Sequence, residues 1–113
     1  MPRITRSPPT GSRRPASHRD GGPAPTIRRR VVVSGRVQGV WFRDSCQREA
    51  RRQAVAGWVR NRMDGSVEAV FEGDADRVLS LCNWMMHGPP RAQVTDIDIA
   101  EEEPEGEAGF VVR

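Results

Sequence analysis

The apolar positions along this 113-residue chain change their period several times, and each change predicts an element. Ile27 opens IRRRVVVSG, where three consecutive β-branched residues, Val31 to Val33, predict a first strand. In FRDSCQREARRQA, Phe42, Cys46, Ala50 and Ala54 return every four positions, which predicts a helix with one apolar side. Gly57 breaks that pattern. WVRNRM and SVEAVFE then flank Asp64-Gly65, the arrangement of a β-hairpin. A two-residue turn there would pair Asn61 with Glu68 and Arg62 with Val67, mixing polar and apolar on each face. A three-residue loop, Met63 to Gly65, pairs Asn61 with Val67, Arg60 with Glu68 and Val59 with Ala69. The second register separates the faces and gives Gly65 the left-handed position, so it is the one expected. Val59, Asn61, Val67, Ala69 and Phe71 then face the core. Arg60 and Arg62 share the opposite face with Trp58 and Glu68, as a surface of ion pairs and cation–π contacts.

DADRVLSLCNWMMH predicts a second helix, with Asp74 as N-cap and Val78, Leu81, Cys82 and Met85 on one face. Gly88-Pro89-Pro90 stops it. In QVTDIDIA, Thr95, Ile97 and Ile99 alternate against Asp96 and Asp98, as in a half-buried strand. EEEPEGEAG reads as a solvated acidic connection and FVVR as a short last strand. The order strand, helix, strand, strand, helix, strand is that of an α+β, ferredoxin-like (split βαβ) fold: an antiparallel sheet with two helices on one face. Right-handed crossovers put its first and third strands in the centre.

Charge divides the chain in two. The formal net charge is +3, with 18 basic residues, all arginine, and 15 acidic ones. Residues 1–26 carry five Arg and one Asp, so +4; residues 27–113 carry thirteen Arg and fourteen acids, so −1. The high pI therefore belongs to the leader, and the domain, 27–113, is close to neutral. The leader holds six of the nine prolines and almost no large apolar residue, so it is expected to be disordered. It suits a weak, non-specific polyanion-binding arm, and equally an inert leader or a start upstream of the true one. Without lysine, Schiff-base and P-loop lysine chemistry are excluded. Cys46 and Cys82 fall on apolar helix positions and read as core side chains rather than a disulfide or zinc site. No apolar run is long enough to span a membrane. With no secretory signal either, a cytoplasmic protein is expected, and with no surplus apolar stripe, a monomer.

The candidate chemistry lies in SGRVQGVWFRD, residues 34–44. Gly35 and Gly39 permit positive φ, so backbone N–H groups between strand and helix can converge into a nest. The first helical turn adds unpaired N–H groups, and Arg43 can reach back with a bidentate fork. Such a site favours a tetrahedral anion. The same spacing also suits an ordinary turn followed by a helix-surface arginine, and spacing alone does not choose.

GRVQGVWFR followed by GWVRNRMDGSVEAVFEG resembles the acylphosphatase family, and the resemblance runs from Ile27 to Arg113. It implies the ferredoxin-like fold and hydrolysis of acyl phosphates, small molecules, to carboxylate and phosphate, with neither metal nor organic cofactor. By motif position, the resemblance puts the catalytic arginine on Arg43 and the catalytic asparagine on Asn61. It puts the phosphate cradle of backbone amides on Arg36, Val37, Gln38, Gly39 and Val40. Trp41 and Phe42 read as core or rim packing, and His87 as a helix-end residue without a catalytic part. RNA-recognition domains share the topology, but Phe71 is expected under the helices and no RNP-like pattern occurs. A phosphate-binding regulatory domain without turnover is the third class the residues allow.

Overall fold

The computed structural model describes residues 2–7 and 25–113. Six strands and two helices follow in the order β1 (Arg3–Ser7), β2 (Thr26–Arg36), α1 (Phe42–Arg52), β3 (Ala56–Asn61), β4 (Val67–Asp74), α2 (Ala75–Met85), β5 (Gln93–Glu102) and β6 (Phe110–Val112). They form one sheet with strand order β1-β5-β2-β4-β3-β6. The four middle strands are mutually antiparallel, and β2 and β4 are central as expected. The two outer strands correct the expectation of an antiparallel sheet. β1 runs parallel to β5 and β6 parallel to β3, so the sheet is mixed.

β1 also corrects part of the reading of the leader. Residues 3–7 pair with residues 96–100. Arg3 Nε lies 2.8 Å from Asp96 Oδ1, and the Ser7 hydroxyl donates to Asp98 Oδ1 at 2.7 Å. The leader between residues 8 and 24, with His18, lies outside the described residues.

The core sits between the helices and one face of the sheet. Val31, Val33, Val59, Val67, Ala69, Phe71, Ile97 and Ile99 supply the sheet side, and Phe42, Cys46, Ala50, Val78, Leu81, Cys82 and Met85 the helix side. This is the strand alternation seen in the sequence, with period two bringing odd-numbered residues inward. Phe71 and Phe110 stack with centroids 5.8 Å apart, tying β6 to the core. Burial pushes the Cys46 thiol above its ordinary range and the Cys82 thiol up to about 11, which suits inert core side chains.

The hairpin adopts the three-residue loop. Asn61 pairs with Val67, Arg60 with Glu68 and Val59 with Ala69. Gly65 has φ +93°. Asp64 Oδ1 accepts from the Ser66 N–H at 2.9 Å and from its hydroxyl at 2.5 Å, which together hold the Asp64 carboxyl below its ordinary range. Asp74 caps α2 by accepting from the Asp76 and Arg77 amides at 3.1 and 3.3 Å.

α1 ends earlier than its four-residue apolar rhythm suggests. Ala54 lies beyond the helix, exposed, with φ +57°. The Val55 N–H reaches back to the Ala50 carbonyl at 2.9 Å and the Ala54 N–H to that of Arg51 at 3.1 Å. These bonds form a Schellman closure with alanine where glycine is usual, and Val55 takes the buried place expected for Ala54.

The acidic connection is folded rather than simply solvated. The Glu72 carboxylate accepts from the N–H groups of Glu105, Gly106 and Glu107, all within 2.8–2.9 Å. Arg28, 3 % exposed, reaches Glu72 at 3.2 Å, Glu102 at 2.9 Å and Glu107 at 2.9 Å. A chain of opposite charges therefore lies across the face away from the helices and fixes the return to β6.

Candidate active site

The loop between β2 and α1 opens where the sheet register shifts, between Ser34 and Gly35. Gly35, at φ +120°, passes so close to β5 that a Cβ would lie 2.2 Å from the Gln93 carbonyl oxygen. Gly39, at φ +74°, has open space where its Cβ would be. The two glycines therefore serve different purposes: one lets strands approach, the other bends the loop and leaves its backbone uncovered. Val37, Gly39 and Val40 donate their N–H groups to no acceptor among the described residues. The next intramolecular donor is Ser45, whose N–H reaches the Trp41 carbonyl at 3.0 Å and starts α1. The N–H groups of the first turn are thus unpaired within the helix, at its positive end.

Packing fixes where that turn points. Phe42 is buried, edge-on to Trp84 with centroids 5.5 Å apart, and a Cβ on Gly88 would strike its ring at 2.4 Å. Anchoring Phe42 leaves Arg43 exposed on the outer side of the turn. No carboxylate among the described residues pairs with Arg43.

A cleft of about 370 Å³ lies in front of the loop, lined by Val37, Gly39, Trp41, Phe42, Arg43, Asp44, Asn61 and Val112. Arg43 and Asn61, 18 positions apart in sequence, thus share one wall-to-wall space with the bend at Gly39. Asn61 reaches it from the last position of β3. Its Oδ1 is buried and has no hydrogen-bond partner among the described residues. An unpaired buried carbonyl-type oxygen costs about 1–3 kcal/mol, so a protein that keeps one usually has a use for it. Of the other expected cradle positions, Arg36 ends β2, and Val40 is a core side chain 7 % exposed.

Gln38 has a part the sequence did not reveal. Its Nε2 donates to the Arg62 carbonyl at 2.8 Å and the Ser66 carbonyl at 2.9 Å, lacing the loop to the hairpin that carries Asn61. A glutamine within a glycine-containing loop gives no signal of such a partner, because the hairpin turn approaches it only in the folded chain. Val112, from the last strand, is a second lining residue that local pattern did not indicate.

The acylphosphatase family model matches residues 29–112. The acylphosphatase of Thermococcus kodakarensis is 55 % identical over 86 residues, 76 % of this chain and 94 % of that protein. The chain belongs to the acylphosphatase family. Among solved structures, an acylphosphatase from Coxiella burnetii superposes with a TM-score of 0.75 at 39 % identity, covering 78 % of this chain and 93 % of that one. The crystal structure of acylphosphatase from Bacillus subtilis gives 0.74 at 41 % identity, covering 77 % and 98 %. An acylphosphatase is a hydrolase of acyl phosphates, and at this identity over nearly the full length of its relatives the chain is such an enzyme.

Among the described residues, the sheet exposes no aromatic platform of the kind an RNA-binding sheet uses. Phe71 is buried under the helices. On the open face Trp58 is 6 % exposed, beneath Arg113 at 4.6 Å and Arg30 and Arg60 at 5.9 Å. Among the described residues, no helix is long and apolar enough to cross a membrane.

Proposed function

We propose that the phosphoryl group of an acyl phosphate is held by the backbone N–H groups of residues 36–40 and by the Arg43 guanidinium, while Asn61 orients the attacking water. The observation that carries this reading is the orphaned Asn61 Oδ1, buried in the same cleft as the unpaired Arg43 and the uncovered bend at Gly39. An acceptor oxygen there accepts a hydrogen bond from water and turns the water's lone pair toward phosphorus. The loop amides and Arg43 stabilise the equatorial phosphoryl oxygens, where charge accumulates. The bond from phosphorus to the acyl oxygen breaks, and the carboxylate departs with the bonding electrons. Carboxylate is a weakly basic leaving group, so no general acid is required to protonate it. The water's proton passes to a phosphate oxygen, and the products are carboxylate and inorganic phosphate. Gln38 contributes by holding the cradle and Asn61 in fixed relation.

The reading extends to a monomeric, cytoplasmic enzyme whose residues 1–26 contribute at most weak polyanion binding. Hydrolysis of benzoyl phosphate in ¹⁸O-water with EDTA present tests the chemistry. Label is expected in phosphate and none in benzoate. Label in benzoate would mean attack at the acyl carbon, which this cleft would not explain. Absence of turnover combined with salt-sensitive RNA binding would favour the binding-module class instead.

A further inference from the structure

We propose that Trp41 is the acyl-recognition surface of the cleft and gives the enzyme a preference for acyl phosphates whose acyl group is aromatic or bulky and apolar. The proposal rests on the reading of the cleft as an acyl phosphate site. It concerns the half of the substrate that the phosphate cradle does not touch.

Trp41 breaks two rules at once. Its backbone is left-handed, φ 65° and ψ 24°, a conformation that costs an L-residue about 1–2 kcal/mol. Its indole is 73 % exposed. Neither feature is needed by the helix it precedes. Trp41 stands at the N-cap, but its side chain makes no capping hydrogen bond. Its one bond to the helix is through the backbone carbonyl, which accepts from Ser45, and glycine would serve there without strain. Scaffold requirements thus explain a residue at this position and leave the choice of tryptophan unexplained. Strain kept at a site lining a cleft points to a use there.

The cleft wall supplies the use. Arg43, Asp44, Asn61 and the Gly39 bend form a polar part; Trp41 and Val112, the latter 39 % exposed, form an apolar part. At about 370 Å³ the cleft falls within the usual size of small-molecule sites, roughly 300–1,000 Å³, and a phosphoryl group fills only a fraction of that. The remaining wall offers an acyl group an indole face and a valine, and the indole N–H is the single polar group these two side chains carry. An aromatic acyl group gains from stacking on the indole as well as from leaving water. A methyl group gains little. The contact is remote from the reacting phosphorus and is the same in ground and transition states, so its loss should appear in KM.

The test uses benzoyl phosphate and acetyl phosphate, which carry the same phosphate and differ in the acyl group. Trp41→Ala is expected to raise KM for benzoyl phosphate roughly tenfold and to lower the benzoyl-to-acetyl ratio of kcat/KM by a similar factor. Trp41→Gly must show the same loss of ratio although it relieves the left-handed strain, which separates recognition from loop stability. Trp41→Phe should retain most of the ratio. An unchanged ratio in both the Ala and Gly variants, or equal losses on both substrates, would overturn the proposal while leaving the hydrolytic reading intact. Failure of the unmodified protein to hydrolyse either substrate would overturn that reading and the proposal with it.

Discussion

Arginine is this protein's sole basic side chain apart from two histidines, and two regions use it in opposite ways. On the open face of the sheet, Arg28, Arg30 and Arg60 are surrounded by carboxylates. Arg60 Nε lies 2.7 Å from Glu68 Oε1, Arg30 also pairs with Glu68 and reaches Glu102 at 2.6 Å, and Arg28 meets four acids. In the cleft, Arg43 has no such partner among the described residues, and neither has the oxygen of Asn61, which lines the same space. Paired charges hold a scaffold together; an unpaired charge next to uncovered backbone donors is available to a ligand. The difference between Arg28 and Arg43 is therefore one of neighbours rather than of residue type.

Removing the free arginine should produce the largest effect. Arg43→Ala is expected to lower kcat/KM for benzoyl phosphate by ~10³-fold or more, on the scale of a lost arginine that stabilises a phosphoryl transition state. As an exposed, unpaired side chain, it should shift stability by less than about 0.5 kcal/mol. A thermal melt alongside the kinetics checks both halves; a large drop in Tm would place Arg43 with the scaffold arginines. Asn61→Ala is expected to cost about 10²–10³-fold in kcat, as for other preorganised polar groups. Because Asn61 Oδ1 is unpartnered, this variant should unfold at the same denaturant concentration or slightly higher.

The scaffold side of the comparison breaks at Glu72. Glu72→Ala removes a partner of buried Arg28 and the acceptor for three loop amides, and should cost about 3 kcal/mol by chemical denaturation, the lower end for a broken buried pair, since Glu102 and Glu107 remain. The same network sets the acid limb of stability. Burial alone would push the Glu68, Glu72 and Glu102 carboxyls up. The hydrogen bonds from Arg60 and Arg30 to Glu68, from loop amides and Arg28 to Glu72, and from Arg30 and Arg28 to Glu102 outweigh it and hold all three below the ordinary range. Folded carboxyls with depressed pKa contribute stability that is present above the unfolded value, about 4.3, and is lost as pH falls through the folded values. Urea midpoints should therefore be flat from neutral pH to about 5 and fall below that, and less steeply in Glu72→Ala. The smallest effect is a gain: Ala54→Gly should stabilise by about 1 kcal/mol, because glycine takes the left-handed position of the α1 closure without strain.

Much of the fold was legible because slips would have been costly. Moving the hairpin register by one residue would turn Val59, Val67 and Phe71 outward, so side-chain pattern alone selected the three-residue loop. The core faces of both helices followed from their spacing, except at Ala54, where helix closure depends on how the chain must turn into β3 rather than on apolar rhythm. The outer strands were less legible. Arg3–Ser7 is polar and joins the sheet through main-chain bonds and contacts to Asp96 and Asp98, which no periodicity in RITRS announces. Glu72 and Gly106, 34 positions apart, meet only in the folded chain, so EEEPEGEAG read as a solvated loop. At the site, the bend and the arginine were readable as an anion-binding candidate from spacing. Asn61 came from the family resemblance, since a lone strand-end asparagine has no distinguishing chemistry. Gln38's side chain and the exposure of Trp41 came from the structure.

Anion binding at the bend and Arg43 is tested by titrating the ¹⁵N-labelled protein with inorganic phosphate and following its amide resonances. Saturable shifts are expected to concentrate at Val37, Gly39, Val40 and Phe42 and at the Asn61 side-chain amide, to be absent in Arg43→Ala, and to leave the Arg28 surroundings unmoved. Shifts spread over the arginines of the open face, or equal binding by Arg43→Ala, would contradict it.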